Sequence, residues 1–571
     1  MKPASRRGWA VLAVCVVVMT LFMGLGHLPL IAPDEGRNAE VAREMKESGA
    51  WLVPTYNGVD YLDKPSFFFK TVAFSLALSG NNEAAARLPS ALFALALVTI
   101  LLRFCRRVYD SERVAWLAAI VVAAMPMFLA HARIVIFDMM LAFFVCGAIF
   151  AGYLAEETEG RSRRNWYLLG AVCAGFATLV KGPVGFLVPV LVLLVFNRFA
   201  GRRGVWKRLF APLNFLVFFA ITLPWFIGLC IQRPDFLHYG LVQESFNRFT
   251  DAESFDRAKP FYYYAIIVAA TFMPWSLLLP QAVVAAWKQR RSLHRADLLC
   301  IVWSVLVVVF FSISQSKQPG YVLSVSVPTG VLVARLLDAA LTRARGGSAN
   351  ALRLGTIIFT VVCLLATGVS VWGLTNPERF IEVAKIDLED PLQFRADAWP
   401  LAVCFAGLAV LGAVAIIRRS VTVCVVCLSL ACPLFLLASV RGVDDVMSHR
   451  SGRALAATLR GLPPETEIVT LNCYPNGVPF YLQRTMTLVT EDGDELTSNY
   501  VLSMLRKPGP WPENIVPAAQ FDEWLAGRTD TVFLITRNRE RSRLESLASE
   551  RGVEVRQLNK RFVGALLPPK P

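Results

Sequence analysis

Apolar runs about 20 residues long recur from residue 9 to residue 440, separated by short polar links. Each is long enough to cross a hydrocarbon core about 30 Å thick. Fourteen can be drawn: 9–31, 66–80, 88–105, 114–130, 139–155, 166–180, 183–199, 211–231, 261–287, 297–313, 321–340, 352–374, 399–417 and 420–440. The pattern predicts an all-α polytopic membrane protein. Segment 66–80 stands apart, because it is short and carries Lys70. A run of that length is re-entrant or interfacial. Beyond residue 440 the periodicity changes. Strand-like stretches at Glu467–Leu471 and Thr531–Thr536 alternate with helical patterns at Arg450–Leu459, Ala518–Ala526 and Arg541–Arg551, punctuated by Pro and Gly. The chain therefore divides into a membrane domain, 1–440, and a small soluble α/β domain, 441–571.

Charge orients the segments. The chain has 58 Lys+Arg and 43 Asp+Glu, a net of +15. From Arg441 onward it carries 17 basic and 16 acidic residues, so nearly all the excess belongs to the membrane part. Basic clusters at Arg6/Arg7, Arg103–Arg113, Arg161–Arg164, Arg198–Arg208, Lys288–Arg295, Arg343–Arg353 and Arg418/Arg419 share one side only if 66–80 does not cross. The positive-inside rule then predicts about thirteen crossings, a cytoplasmic N-terminus and a periplasmic C-terminal domain. It also accounts for the charge without nucleic acid as a partner. Residues 9–31 lack a small-residue cleavage site and read as a retained span of the inner membrane.

A hydrophobic fraction of 55% and a mean hydropathy of +0.50 exclude an ordinary soluble protein. Of twelve cysteines, only Cys473 lies in the polar tail, so no disulfide framework is available there. Cys424 and Cys427 form a CxxC inside an apolar run and read as small apolar residues.

The predicted outer loops hold the chemistry. The first, 32–87, opens with Pro33-Asp34-Glu35-Gly36-Arg37. A helical stretch, Asn38–Ser48, follows, with apolar positions suited to a helix lying along the membrane interface and Gly49 as its stop. Asp34 sits at the end of an apolar span, and Asp138 starts another beside Arg133. Each is either a helix-end charge or a functional carboxylate. Lys64, Lys181, Arg248 and Lys317 lie in short outer links, three of them followed closely by Pro. Cations at that level run against the orientation bias. An anion explains them, and a lipid phosphate is the obvious one. Aromatics in 232–260 suit the interface belt, and Glu244 can pair with Arg248 at i, i+4. No HxxxH, HExxH or paired CxxC pattern occurs in these loops, so no cofactor is required and a divalent metal has no direct support.

Taken together, these motifs resemble the bacterial family of aminoarabinose transferases and protein mannosyltransferases, the GT-C class that uses polyprenyl-phosphate sugars. The resemblance runs through Pro33–Arg37, Glu40–Met45, Tyr61-Leu62-Asp63-Lys64-Pro65, Ala86–Ser90, Asp138, Lys181-Gly182-Pro183, Leu223-Pro224-Trp225, Glu244 with Arg248-Phe249, Pro274-Trp275-Ser276 and Ser316–Tyr321. It covers about the first 340 residues in order. It implies a GT-C fold and an inverting transfer of sugar from a polyprenyl-phosphate carrier to a lipid or protein acceptor at the membrane surface. Asp34 would be the main catalytic carboxylate, with Glu35 beside it and Asp138 as a second acidic residue. Arg37, Lys64, Lys181, Arg248, Lys317 and Tyr321 would hold the donor phosphate. Tyr61, Asp63 and Glu244 would line the substrate cavity.

The chain also departs from the family. It has Gln243-Glu244-Ser245 where aminoarabinose transferases often have His-Glu-His, Asp63 where they usually have Glu, and Gly320 in place of an aromatic or His. Lipid A or another envelope glycolipid is the acceptor the resemblance favours, with protein O-mannosylation as the alternative. A lipid-linked-sugar transporter or flippase is the rival from another class. It would place its charged site near the bilayer midplane rather than at helix ends.

Overall fold

The computed structural model describes residues 6–240, 259–288, 293–384, 391–448 and 451–569. Among them, eight helices are long and apolar enough to cross a membrane, or ten if each of two bent pairs is one span. Thirteen is reached only by adding the shorter or more charged helices Arg6–Leu21, Gly160–Lys181 and Val184–Phe199. The bent pairs fall within runs that read as continuous. Glu112–Ala123 and Pro126–Ala132 meet at 70°, and Tyr263–Thr271 and the helix after Pro274 at 109°. Proline explains both breaks, since it lacks an N–H and pushes the preceding residue out of the helical region. The short segment is a 13-residue helix, Phe67–Ser79. At about 20 Å it is too short to span.

The helix after the first span begins at Asp34, four residues earlier than its periodicity suggested, and ends at Ser48. Gly49 stops it in the left-handed region, its N–H bonded to the Met45 carbonyl. The apolar positions expected to face the membrane interface pack instead against protein. Residues Ala39, Val41, Ala42 and Met45 are fully buried in a core shared with helix Phe67–Ser79 and the C-terminal domain, and Glu40, Arg43 and Glu44 are buried as well. Partners compensate for their charge. Arg43 donates to both Glu40 oxygens at 2.7 and 2.6 Å, and Glu44 accepts from Thr55 Oγ1 at 2.6 Å and from Gly58 N at 3.1 Å.

The last membrane helix, Val421–Ser448, runs past the expected boundary, so the C-terminal domain begins after it. A hairpin in the first loop comprises β1 (Thr55–Tyr56) and β2 (Val59–Asp60). The domain sheet comprises β3 (Glu467–Leu471), β4 (Thr487–Thr490), β5 (Ile515–Pro517), β6 (Val532–Arg537), β7 (Arg556–Gln557) and β8 (Phe562–Leu567), in the order β5-β4-β3-β6-β8-β7. Strands β5, β4, β3 and β6 run parallel; β8 pairs antiparallel with β6, and β7 pairs antiparallel with β8 at the edge. The central strands are buried on both faces, which is why they read as short apolar runs.

One face of this sheet closes on the first outer loop. Tyr56 Oη donates to Asn476, Asn57 exchanges hydrogen bonds with Met486 at 2.8 and 2.9 Å, and Leu30 N donates to Tyr481 Oη at 2.9 Å. Helix Asp34–Ser48 approaches so closely that a Cβ on Gly36 would stand 2.7 Å from Gly477 Cα. The loop and the domain are thus one folded unit. Truncation after Ser448 is expected to abolish accumulation of folded protein rather than merely alter substrate use, because it strips the cover from the apolar face that the loop turns toward the sheet. Membrane yield and gel-filtration behaviour of the truncated chain check this.

Candidate active site

The site starts from a buried ion pair. Arg87 lies in helix Glu83–Tyr109 and donates to Glu35 Oε1 at 2.8 Å and Oε2 at 2.7 Å. Its remaining N–H groups reach the carbonyls of Leu25, Leu28 and Pro29. Glu35 also accepts from Ile31 N at 3.0 Å and Val135 N at 2.9 Å. Asn38 Nδ2 donates to the Val135 carbonyl at 2.8 Å, and Ser90 Oγ to that of Ile134 at 2.8 Å. Two outer links are therefore pinned together, one carrying Asp34 and the other leading into Asp138. Glu35, expected as catalytic, is 3% exposed, has both oxygens engaged in these bonds and does not line the cavity described below. Arg133, expected beside Asp138, instead donates to the carbonyls of Thr20 and Met23 at the end of the first span.

From that scaffold Asp34 projects with its side chain 59% exposed, its Oδ1 2.6 Å from Arg37 Nη2. Arg37 is mostly buried. It donates through Nη1 to Thr497 Oγ1 at 2.7 Å and the Thr497 carbonyl at 3.0 Å, and its guanidinium lies 5.8 Å from the Tyr61 ring centroid. Burial alone would lower its pKa, but Tyr61, Asp34 and Asp63 outweigh this and hold it above its ordinary value. Asp63 is a clamp rather than a free carboxylate. It accepts from Tyr239 Oη at 2.8 Å, Tyr500 N at 2.8 Å, Asn499 N at 3.2 Å and Ser498 Oγ at 3.3 Å.

A second charged group faces them. Lys181 ends helix Gly160–Lys181, and Asp138 begins helix Asp138–Glu156. Lys181 Nζ lies 2.6 Å from Asp138 Oδ1 and 4.7 Å from the ring centroids of both Phe137 and Tyr321. Asp138, expected as a second catalytic carboxylate, is 4% exposed and does not itself line the cavity, whereas its partner Lys181 does. Gly320 makes this arrangement possible: a Cβ there would stand 2.9 Å from His131 Nε2 and 3.1 Å from Asp138 Oδ1. Lys64 Nζ donates to the Asp63 carbonyl at 2.7 Å.

Asp34, Arg37, Tyr61, Asp63, Lys64, Lys181 and Tyr321 line one cavity of about 1080 Å³. Its polar head lies at helix ends on the side of the C-terminal domain. Its body is an apolar trough along helix Pro212–Gln232, walled by Phe218, Phe219, Leu223, Ile227 and Ile231. Lys317, expected to support the phosphate, is buried, does not line the cavity and donates to the Ser314 carbonyl. Glu244 and Arg248 lie outside the described residues. Sequence reasoning missed Thr497 and Asn499, which the C-terminal domain adds to the lining. The available signal was indirect. Asn57-Gly58 is a tight-hairpin dipeptide, and both residues take positive φ, but its docking onto Met486 has no local signature. Among the described residues no three His, Cys, Asp or Glu side chains gather in a way that can hold a metal ion.

The fold and site define a polytopic membrane protein whose apolar trough opens into a cation-rimmed head at the membrane surface. Residues 9–240 match the family model described as dolichyl-phosphate-mannose-protein mannosyltransferase. The undecaprenyl phosphate-alpha-4-amino-4-deoxy-L-arabinose arabinosyl transferase of Erwinia tasmaniensis is 30% identical over 390 residues, 65% of this chain and 68% of its own length. The protein of the same description from Photorhabdus laumondii is 30% identical over 327 residues, 57% of this chain, and this chain spans 59% of its length. The crystal structure of ArnT from Cupriavidus metallidurans bound to undecaprenyl phosphate superposes with a TM-score of 0.83 at 26% identity, covering 98% of each chain. Its apo form gives 0.82 at 27% identity, covering 99% of this chain and 98% of that one. The chain belongs to this family of polyprenyl-phosphate-sugar-dependent glycosyltransferases.

Gly320→Ala is expected to displace Asp138 and Lys181 and lower turnover roughly 10- to 100-fold while the protein stays folded. Steady-state rates beside a thermal melt check this. Arg87→Ala leaves the Glu35 carboxylate buried without its partner, a cost of about 3–5 kcal/mol. A clearly lower melting temperature in detergent is the expected outcome.

Proposed function

We propose that this chain is an inverting glycosyltransferase that moves 4-amino-4-deoxy-L-arabinose from undecaprenyl phosphate to lipid A on the periplasmic face of the inner membrane. The observation that carries the reading is the single cavity joining an apolar trough to a head lined by Lys64, Lys181, Arg37 and Tyr321. Its likeness to ArnT bound to undecaprenyl phosphate supports that reading. The prenyl chain lies along Phe218, Leu223 and Ile231, and the phosphate meets the lysines. Charge builds on that phosphate as the glycosidic C–O bond breaks. Fixed cations in a partly dry cavity stabilise it more strongly than water does. Asp138 keeps Lys181 aimed at it. Asp34, exposed and oriented by Arg37, positions the acceptor for in-line attack. A phosphate acceptor needs little help from a base, whereas a hydroxyl acceptor needs Asp34 to take its proton. The N-terminus lies in the cytoplasm and the C-terminal domain in the periplasm. Charged groups gathered at helix ends favour surface chemistry over transport.

The reading is tested by reconstituting the full chain with radiolabelled undecaprenyl-phosphate aminoarabinose and lipid A, with an acceptor peptide in a parallel arm. Lipid A is expected to take the label and the peptide not. Lys181→Ala and Lys64→Ala are expected to lower turnover strongly. Asp34→Asn should cost about 10²–10⁴-fold if the acceptor is a hydroxyl, and much less if it is a phosphate. Full turnover by all three variants would reject the assigned centre.

A further inference from the structure

A second cavity, of about 510 Å³, lies at the opposite end of the bundle, lined by Arg107, Tyr153, Glu157, His294 and Arg295 among others. Tyr153 is 15 residues along its helix from Asp138, so about 22 Å separates it from the sugar-transfer site. None of these residues has a part in that site. The cavity is built rather than incidental. Tyr153 lines it, is 2% exposed, packs its ring on Phe104 and Phe196, and has no hydrogen-bond partner for its hydroxyl among the described residues. A buried hydroxyl is rarely left unpaired, and this one belongs to a residue that lines the cavity. Arg107 stands exposed at the rim, its guanidinium held 5.5 Å from the Trp166 ring centroid. His294 accepts from Ala296 N through Nδ1 at 3.2 Å, which leaves Nε2 as a donor. The carboxylate at the rim, Glu157, is already held by Arg202 at 2.7 Å and Arg295 at 3.6 Å. Arg107 and Arg295 both line the cavity, and Arg202 also pairs with its one carboxylate, so the local charge is positive. Thr158 and the apolar Val108, Leu154 and Leu293 complete the walls.

We infer that this cavity binds the phosphate of an anionic phospholipid head group in the leaflet opposite the sugar-transfer site. Guanidinium forks match phosphate oxygens in geometry as well as charge. Basic pockets between membrane helices are where such head groups lodge, and the apolar walls accept the start of the acyl region. The bound phosphate meets Arg107 and Arg295 and accepts from Tyr153 Oη. It thereby ties helices Glu83–Tyr109, Asp138–Glu156 and Arg295–Ile313 together at the end where no soluble domain braces them. The inference does not depend on which sugar or acceptor the enzyme uses.

The experiment is native mass spectrometry of the delipidated full-length protein titrated with dioleoyl-phosphatidylglycerol. Separate arms use dioleoyl-phosphatidylcholine and inorganic phosphate as a competitor. The wild type is expected to retain phosphatidylglycerol several-fold more tightly than phosphatidylcholine. Arg107→Ala combined with Arg295→Ala should weaken retention about tenfold or more. Tyr153→Phe keeps the ring packing and should weaken it roughly threefold, so the test stands even if the double variant folds poorly. Equal retention by wild type and Tyr153→Phe together with the double variant, or equal retention of the two lipids, overturns the inference. Full displacement of the lipid by millimolar inorganic phosphate would assign the cavity to a free anion and overturn the lipid reading.

Discussion

The Glu35–Arg87 pair is the constraint from which the outer face is built. Every guanidinium N–H of Arg87 and both Glu35 oxygens are engaged, and both side chains are 3% exposed. Charges so deeply buried are tolerated only when their hydrogen bonding is complete. Completing it draws the end of the first span, the start of helix Asp34–Ser48 and the Val135 backbone to one point. Asp34 and Asp138 are more than 100 residues apart in the chain, yet they flank one cavity head because both links are fixed to the same carboxylate.

The C-terminal domain is the second half of that construction. It adds Thr497 to hold Arg37, and backbone N–H groups of Asn499 and Tyr500 to hold Asp63. Preorganisation of this kind matters for catalysis, since a charged group that must reorient during the reaction loses much of its effect. The cavity is shaped at one end by membrane helices and at the other by a soluble sheet. That division suits a substrate with a long apolar tail and a polar head.

The sequence was most legible where physics is local. Gly49 as a helix stop, β3 to the residue, and three of the C-terminal domain's helices to within a few positions followed from periodicity and capping, whereas the short helices Val478–Leu482 and Asn499–Leu505 did not. The bends before Pro126 and Pro274 were carried by the prolines but masked by hydropathy, which averages over a break. The lysine at 181 and the carboxylates at 34 and 138 could be picked out as charges in the wrong place. Sorting Glu35 from Asp34 could not be done that way. Adjacent carboxylates have the same composition signal, and only the fold places Arg87 beside one of them. The same limit hid Thr497 and Asn499, whose partners lie more than 430 residues away.

That sequence distance has a bearing on how the protein is made. The bond from Leu30 to Tyr481 and that from Arg37 to Thr497 join residues separated by 451 and 460 positions. Ribosomes add roughly 5–20 residues per second, so the first loop emerges on the order of 20–90 s before its partner surface exists. Throughout that interval Ala39, Val41, Tyr56 and Phe69 have no sheet to cover them. The apolar face of this loop is completed only when residues from the far end of the sequence pack against it.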